Sequence, residues 1–320
     1  MKTWKKAGLT ALAGSMVAFS AQAVDLSLSG TMKMAYTADS GAQDTSTDGN
    51  RFGMSKAIAA SGSGEMDNGW VVSLSNSSIN GSASSLAIDM GDMGTLTYQN
   101  VSGGLGIGKI DDMMPTADEE VWNGLSTSGA AVATGRVSGG DNGFQYDLTA
   151  GDVTLGIGYE PKGGTAQADG ANGGTGSASS LSYTLKFSPM DGLNVGAGIG
   201  DKGTTTGKED EHETYYATYA VGSFTLGVQG SEIDYAGSTN DEESTAMSVS
   251  FAVNDDLSIS YGTWETEQAG STNDEEIDGI SIGYSMGGMT IKAHKNEGDH
   301  LGNAATATSE HTEIALSWAF

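Results

Sequence analysis

Apolar side chains recur at every second position along this chain, and this period constrains the fold more than any other feature of the sequence. The last ten residues show it most clearly, because Thr312, Ile314, Leu316, Trp318 and Phe320 share one side. The residues between them are small or polar. A period of two places alternate side chains on opposite faces of a strand. The segment is therefore predicted to be a strand with one oily face and one polar face.

The same alternation returns in about 16 segments, of which Leu181–Phe187 is typical. Tight turns such as Gly222-Ser223 alternate with long polar connections such as the one between Asp201 and His212. No segment beyond the first 23 residues approaches 18 apolar residues, which excludes helical membrane spans. The pattern favours an all-β fold, a transmembrane antiparallel β-barrel of about 16 strands. A soluble β-sandwich or solenoid is the alternative.

The first 23 residues have a different character from the rest. They begin with Lys2, Lys5 and Lys6, continue with a short apolar stretch, and close on Ala21-Gln22-Ala23. This is the layout of a cleavable secretory signal. The alternative, an uncleaved anchor, needs a longer apolar run. We therefore expect residues 1–23 to be a signal peptide and residues 24–320 to form one barrel domain.

Composition agrees with a barrel. The chain has 49 glycines, 3 prolines and no cysteine, so its stability cannot come from disulfides. A closed barrel has an unbroken hydrogen-bond ladder with no free edge. The net charge is −27, and without the leader 11 basic residues stand against 41 acidic ones, a net charge of −30. Such a chain repels nucleic acid and favours cations.

Three parts of the sequence carry a resemblance to a known family. They are Asn50-Arg-Phe-Gly53, the turn region Gly62–Gly69, and the aromatic C-terminal residue Phe320. Together they resemble the general bacterial porins of the Gram-negative outer membrane, over Val24 to Phe320. The resemblance implies a water-filled homotrimeric channel for passive diffusion of small hydrophilic solutes and ions, set in outer-membrane lipid and lipopolysaccharide. A plugged or narrow barrel that acts as a solute-specific channel, receptor or adhesin is the alternative.

One connection, from Ser102 to Gly140, is far longer than the others, which favours a functional loop or a disordered one. Apolar side chains alternate there with five acids, Asp111, Asp112, Asp118, Glu119 and Glu120. By position it matches the third extracellular loop of the family, which folds into the barrel and narrows the pore. The resemblance thus implies a long third loop folded into the lumen. Its acids would form a pore constriction that prefers cations, as acidic rings do in channels. The alternative is an acidic loop exposed outside.

Basic residues are expected to face this loop. Alternation points Lys33 and Arg51 into the lumen, and in the family basic residues of the early strands form a wall opposite the loop. Lys56 shares its side with Phe52, so it needs a bulge or a place near the membrane interface. Further basic candidates are Arg136, Lys186 and Lys292.

An eight-residue repeat is the last unusual feature. The segment Ala236–Glu243 returns unchanged as Ala269–Glu276. Duplication of a hairpin is the simplest cause. The alternative is a Ca²⁺ or Mg²⁺ site, since clustered carboxylates suit these ions, although EF-hand spacing is absent. The candidate ligands are Asp241, Glu242, Glu243, Asp274, Glu275 and Glu276.

Catalysis is not expected. Barrel hydrolases need a histidine beside a nucleophile or carboxylate, and the four histidines have no recognisable companion motif. Alternation points His294 and His311 inward, whereas His212 and His300 fall in long connections. The chain has no cysteine and no zinc-type spacing. We therefore predict no catalytic residue and no resident cofactor.

Overall fold

The computed structural model describes residues 25–41, 51–77, 84–100, 104–125, 143–161, 178–204, 208–237 and 239–320. They form sixteen strands: β1 (Asp25–Gly41), β2 (Phe52–Glu65), β3 (Val71–Asn76), β4 (Ser84–Asp89), β5 (Thr95–Gln99), β6 (Gly143–Ala150), β7 (Val153–Glu160), β8 (Ser180–Met190), β9 (Leu193–Gly203), β10 (Glu209–Val221), β11 (Phe224–Asp234), β12 (Glu242–Ala252), β13 (Leu257–Gln268), β14 (Glu275–Met286), β15 (Met289–Asp299) and β16 (Ser309–Ala319). Short 3₁₀ turns lie at Gly91–Met93, Gly106–Lys109 and Leu301–Asn303. Within these ranges no helix is long and apolar enough to cross a membrane.

Each strand pairs antiparallel with the next, and β1 pairs with β16, so the sheet is a closed barrel. The predicted all-β class and the count of sixteen strands are confirmed. The predicted signal peptide lies outside the described residues, and β1 begins two positions after its expected end. Cleavage after residue 23 therefore stays a prediction.

The two faces of the barrel wall differ as the alternation predicts. Along β11, Leu226 and Val228 are 48% and 49% exposed on the outside, whereas Gln229 and Ser231 are each 3% exposed. The outside is thus an apolar surface suited to lipid, and the inside is polar.

The connections also differ between the two ends. One end has tight turns, in which Gly222 and Gly192 adopt positive φ values of 59° and 79° that favour glycine. The longer connections all lie at the other end. This asymmetry is typical of periplasmic and extracellular sides.

The C-terminal residue extends the pairing of β1 with β16. Phe320 and Gly30 exchange two backbone hydrogen bonds, with N···O distances of 2.7 and 2.9 Å. The Phe320 ring lies over Gly30, where a Cβ atom would overlap it. Phe320 therefore continues the pairing of β1 with β16 beyond Ala319.

Lys56 lies on the outside of the barrel. The register of β1 with β2 is unbroken, and Lys56 pairs with Met32, an exposed outward residue. No bulge separates Lys56 from Phe52, so the possibility of a bulge is wrong. The side chain shares the outer face with the apolar residues of β2.

Candidate functional site

The connection between β5 and β6 lies against the inside of the barrel in its described part. This part, Gly104–Leu125, is called the inner loop below. Its residues contact inward side chains of β6, β8, β11, β12, β13, β14 and β15, in chain order along the wall. The inner loop therefore follows the circumference of the barrel on its lumen side.

The start of the inner loop packs on β6 to β10. The N–H of Gly106 donates to Oε1 of Gln145 at 2.7 Å, and the N–H of Ile107 donates to Oγ of Ser182 at 3.1 Å. Ile107 also belongs to a buried apolar cluster completed by Ile110, Tyr216 and Ile233. Polar and apolar contacts together fix this segment, because buried backbone groups need partners.

A single amide from β11 holds the next segment. The N–H of Met113 donates to Oε1 of Gln229 at 2.8 Å. Nε2 of Gln229 donates to the carbonyl oxygens of Ile110 and Asp111 at 3.0 and 2.9 Å. Hydroxyl groups of the following strands continue these contacts, from Ser248, Ser260 and Ser281. The backbone of the loop thus finds its partners in wall side chains.

Asp118 joins the inner loop to β15. Its Oδ1 lies 3.1 Å from Nζ of Lys292, and its Oδ2 lies 2.8 Å from Nδ1 of His294. The side chains of Asp118 and His294 are 4% and 0% exposed. Burial would raise the pKa of Asp118, but the hydrogen bonds with His294 and Lys292 outweigh it and lower the pKa. Asp118 is therefore an ionised anchor.

An aromatic pair anchors the end of the inner loop. The rings of Trp122 and Trp264 meet edge to face, with centroids 4.5 Å apart, and Trp264 is 1% exposed. Nδ2 of Asn296 donates to the carbonyl oxygens of Glu120 and Asn123 at 3.2 and 2.9 Å. The apolar cluster around the two rings contains Ala246, Ile277, Leu301 and Ala307. It ties the inner loop to β13 and to the connection before β16.

A pair of stacked histidines lies beside these anchors. The rings of His294 and His311 are stacked with centroids 5.4 Å apart. Nδ1 of His311 lies 2.5 Å from Oδ1 of Asp39 on β1, and the ring abuts Gly124, where a Cβ atom would overlap it. The inward orientation predicted for both histidines agrees with these contacts. Each imidazole contacts a carboxylate, His294 that of Asp118 and His311 that of Asp39.

Glycines of the wall make room for the inner loop. A Cβ atom on Gly158 would overlap the backbone of Gly106, and one on Gly283 would crowd the carbonyl oxygen of Ala117. At Gly198, Gly227 and Gly262 a Cβ atom would crowd side chains of the inner loop, and at Gly279 it would meet Asn296 first and then Val121. These six residues are called the wall glycines. They let the inner loop lie close to the strands.

Two acids of the inner loop, Asp112 and Glu120, line the same crevice between the loop and the wall. Burial, and then the charges of Glu120 and Asp111, raise the pKa of Asp112 to about 7, although the N–H of Met114 donates to its carboxylate and opposes this. Asp112 and Glu120 are called the carboxyl pair below.

Comparison with known proteins decides the family. The family model described as "Gram-negative porin" matches residues 8–294. The chain belongs to the Gram-negative porin family. A search of curated protein sequences finds no match. This porin is similar in structure to the anion-selective porin of Comamonas acidovorans, at 12% identity and a TM-score of 0.64, with 93% of this chain and 100% of that chain covered.

Two further solved structures share the fold. OmpT of Vibrio cholerae, expressed in the outer membrane, has 12% identity and a TM-score of 0.64, with 94% of this chain and 99% of that chain covered. A mutant of the Rh. blastica porin has 15% identity and a TM-score of 0.64, with 92% and 100% covered. The resemblance to porins and the location in the bacterial outer membrane are thus confirmed. The protein is an outer-membrane porin channel.

Three lysines on the lumen side of the porin, Lys33, Lys109 and Lys292, form ion pairs with carboxylates. Lys33 forms an ion pair with Glu313 on β16, and Lys109 of the inner loop lies 2.6 Å from Asp147 on β6. The backbone oxygen of Arg51 accepts a hydrogen bond from Thr37, and by alternation its side chain opposes the outward Phe52. The basic wall of Lys33 and Arg51 stays a prediction. Arg136 lies outside the described residues.

The sequence could predict only some of the contacts between the inner loop and the barrel wall. Lys292 was one of several basic candidates, and nothing in the sequence selected it as the partner of Asp118. Gln229 and Asn296 face inward by alternation, but alternation does not rank inward polar residues. Trp122 was visible as an apolar side chain among acids, whereas its partner Trp264 carried no signal.

The repeated segments do not bring their acids together. Glu242 and Glu275 occupy equivalent positions, face inward, and are each 1% exposed. Their neighbours Glu243 and Glu276 are exposed on the outer face. Among the residues that the structure describes, no group of three or more His, Asp or Glu side chains could hold a metal ion. Hairpin duplication and a divalent-cation site both stay predictions.

Proposed function

We propose that this outer-membrane porin is a water-filled channel for passive diffusion of small hydrophilic solutes and ions, that it prefers cations, and that it is not an enzyme. The observation that carries the proposal is the closed sixteen-stranded barrel with an apolar outside and a polar inside. Barrels of this strand number are too wide for wall side chains to fill, so they leave an aqueous channel. The inner loop narrows this channel from one side, since it follows the wall.

Charge supports the cation preference. The chain without its leader carries 11 basic and 41 acidic residues. Three inward lysines cancel only three of these acidic charges, since each forms an ion pair with one carboxylate: Lys33 with Glu313, Lys109 with Asp147, and Lys292 with Asp118. The five acids proposed as the constriction therefore act in a lumen of net negative potential.

Purified protein in a planar bilayer should conduct in discrete steps without an energy source. In a salt gradient the zero-current potential should show cation preference, which added salt weakens by screening. Replacing both Asp111→Asn and Glu119→Gln, two acids outside the Asp118 anchor and the carboxyl pair, should reduce the cation-to-anion permeability ratio several-fold.

The matched control removes two charges elsewhere. Asp241→Asn with Glu243→Gln changes acids near the looped end of the barrel, and we expect a much smaller shift. Folded protein that never opens across a wide voltage range would contradict the channel and favour a plugged receptor. Equal shifts from the two double variants would contradict a constriction at the inner loop.

We also propose a homotrimer, with copies packed along β3 to β5 and lipopolysaccharide around the remaining face. The strand β5 has five residues, which rise only about 17 Å, whereas the apolar band of such barrels is about 25 Å tall. A neighbouring copy would cover the part of the apolar band that these short strands do not span. Electrophoresis in SDS with and without heating tests this, because a trimer should survive without heating and a single monomer band would contradict it.

A further inference from the structure

Lys186 is a cation on the lumen side of β8. Alternation sends it inward, because its neighbours Leu185 and Phe187 are 46% and 40% exposed on the outer face. It pairs with Thr154 on β7 and with Gly196 on β9. Its side chain is only partly buried, so a solute in the lumen can reach it.

A second ammonium group comes from the inner loop. Nζ of Lys109 lies 2.6 Å from Oδ2 of Asp147 on β6. A Cβ atom on Gly156 of β7 would lie 3.1 Å from Oδ1 of Asp147 and would overlap Oγ1 of Thr184. Thr184 is the inward residue next to Lys186 along β8. The two ammonium groups therefore flank one area of the wall, where the charges of Lys109 and Asp147 act on Lys186.

The carboxylate of Asp147 does not neutralise both lysines. One of its oxygens is bound to Lys109, and the other accepts a hydrogen bond from Nε2 of Gln145 at 2.8 Å. Across the described ranges no carboxylate forms an ion pair with Lys186. Lys109, Lys186 and Asp147 are called the lysine patch below. It carries two positive charges and one negative charge, so it is locally cationic in an otherwise acidic pore.

Other charged side chains of these strands lie far from the lysine patch. Glu160 on β7, Lys202 on β9 and Asp210 on β10 are each six residues along their strand from the row of Lys186, which is about 20 Å. Asp111 follows on the inner loop, but its carbonyl oxygen is bound at β11, three strands from β8. The positive charge of the patch is therefore a local property of this part of the wall.

Hydroxyl groups lie on both sides of Lys186. Oγ1 of Thr154 lies 2.9 Å from Oγ1 of Thr149. The ring of Tyr216 lies over Gly196, with its hydroxyl oxygen 3.0 Å from the place that a Cβ atom would take. Hydroxyl groups can donate hydrogen bonds, and an ammonium group is a donor only. Two ammonium groups flanked by hydroxyl groups suit a ligand with several acceptor oxygens, and such charge-assisted bonds are strong.

We propose that Lys186 and Lys109 form a binding subsite for an oxyanion, the carboxylate or phosphate group of a small solute on its way through the pore. This inference rests on the proposed channel function and names one class of solute. Lys186 supplies the positive charge that has no carboxylate partner, Lys109 adds a second donor, and the hydroxyl groups orient the oxygens. The pore thus retains an anionic group at one place in a lumen that prefers cations.

The test is the block of single-channel K⁺ current by added anions, at fixed voltage in KCl. Inorganic phosphate and acetate are titrated separately, and at least one of them should reduce the wild-type current saturably. Block by phosphate alone assigns the subsite to phosphate groups, block by acetate alone assigns it to carboxylates, and block by both assigns it to oxyanions in general. Lys186→Met should raise the half-saturating concentration at least about tenfold, because a charged donor is lost, whereas Lys186→Arg should keep the block.

Lys202→Met is the matched control, since it removes one inward lysine from the neighbouring strand β9. It should keep the block, although it changes the net charge of the lumen by the same amount. Channels that conduct without saturable block by either anion would overturn the inference alone. The inference would also fail if Lys186→Met matched wild type, or if Lys202→Met weakened the block as much as Lys186→Met. Protein that never conducts would instead overturn the proposed function.

Discussion

In the variant Trp264→Ala the end of the inner loop should leave the wall while the barrel stays closed. Trp264 is 1% exposed and supports Trp122, and truncation of a buried tryptophan costs about 3–5 kcal/mol. The strand ladder does not depend on this ring, because its hydrogen bonds are backbone pairs on both sides of β13. The substitution should therefore weaken the attachment of the inner loop to the wall and leave the barrel closed.

The chain has no cysteine, so a single Asn123→Cys substitution can report on the loop. Its labelling rate by a water-soluble maleimide should rise more than about tenfold when Trp264→Ala is added, since about 1.4 kcal/mol already gives tenfold. Trp318→Ala is the control, because that tryptophan is 39% exposed on the outer face. Equal labelling rates in the two tryptophan variants would contradict the role of the aromatic pair.

Asp118→Asn should convert a steady open current into a rapidly fluctuating one. Removing one partner of a buried ion pair costs about 3–5 kcal/mol, and the 40% exposure of Lys292 lowers this to about 2–3 kcal/mol. The detached fraction of the loop would then grow about thirtyfold or more. The measurement is the variance of the open-channel current at fixed voltage, compared with Glu119→Gln, the same type of substitution at the next residue.

The ion pair with Lys292 gives this experiment a second arm. Lys292→Met should increase the variance less than Asp118→Asn, because His294 still holds the carboxylate. Combining the two substitutions should add little beyond Asp118→Asn, since both act on one contact. If the variance of the open-channel current is the same in Asp118→Asn as in Glu119→Gln, Asp118 does not anchor the loop.

Period-two alternation predicted the strands and the side to which most residues point, because both are local properties of an extended chain. It placed Lys33, His294 and His311 inward without any knowledge of their partners. It could not give the height at which a loop residue meets the wall, which depends on contacts between residues far apart in the chain, such as Asp118 and His294. For this reason Asp118 was grouped with the other acids of the constriction, although it is bound to Lys292 and His294.

The same principle applies to the repeated acids. Glu242 and Glu243 are adjacent, so a strand must send them to opposite faces, and the same holds for Glu275 and Glu276. A common metal site was therefore already disfavoured by the period of two. The carboxyl pair is the opposite case, because Asp112 and Glu120 line one crevice only after the inner loop has folded against the strands that complete it.

Because the wall glycines lie close to the inner loop, adding a single methyl group at one of them can change the width of the channel. At Gly262 an added methyl would meet Cγ1 of Val121 at 3.0 Å, a flexible contact that can yield. At Gly158 the obstacle is the backbone of Gly106, which cannot yield without lifting the start of the inner loop. Alanine at Gly158, or at Gly283 where the obstacle is the carbonyl oxygen of Ala117, would therefore push that part of the inner loop toward the axis, whereas alanine at Gly262 would change the channel width much less.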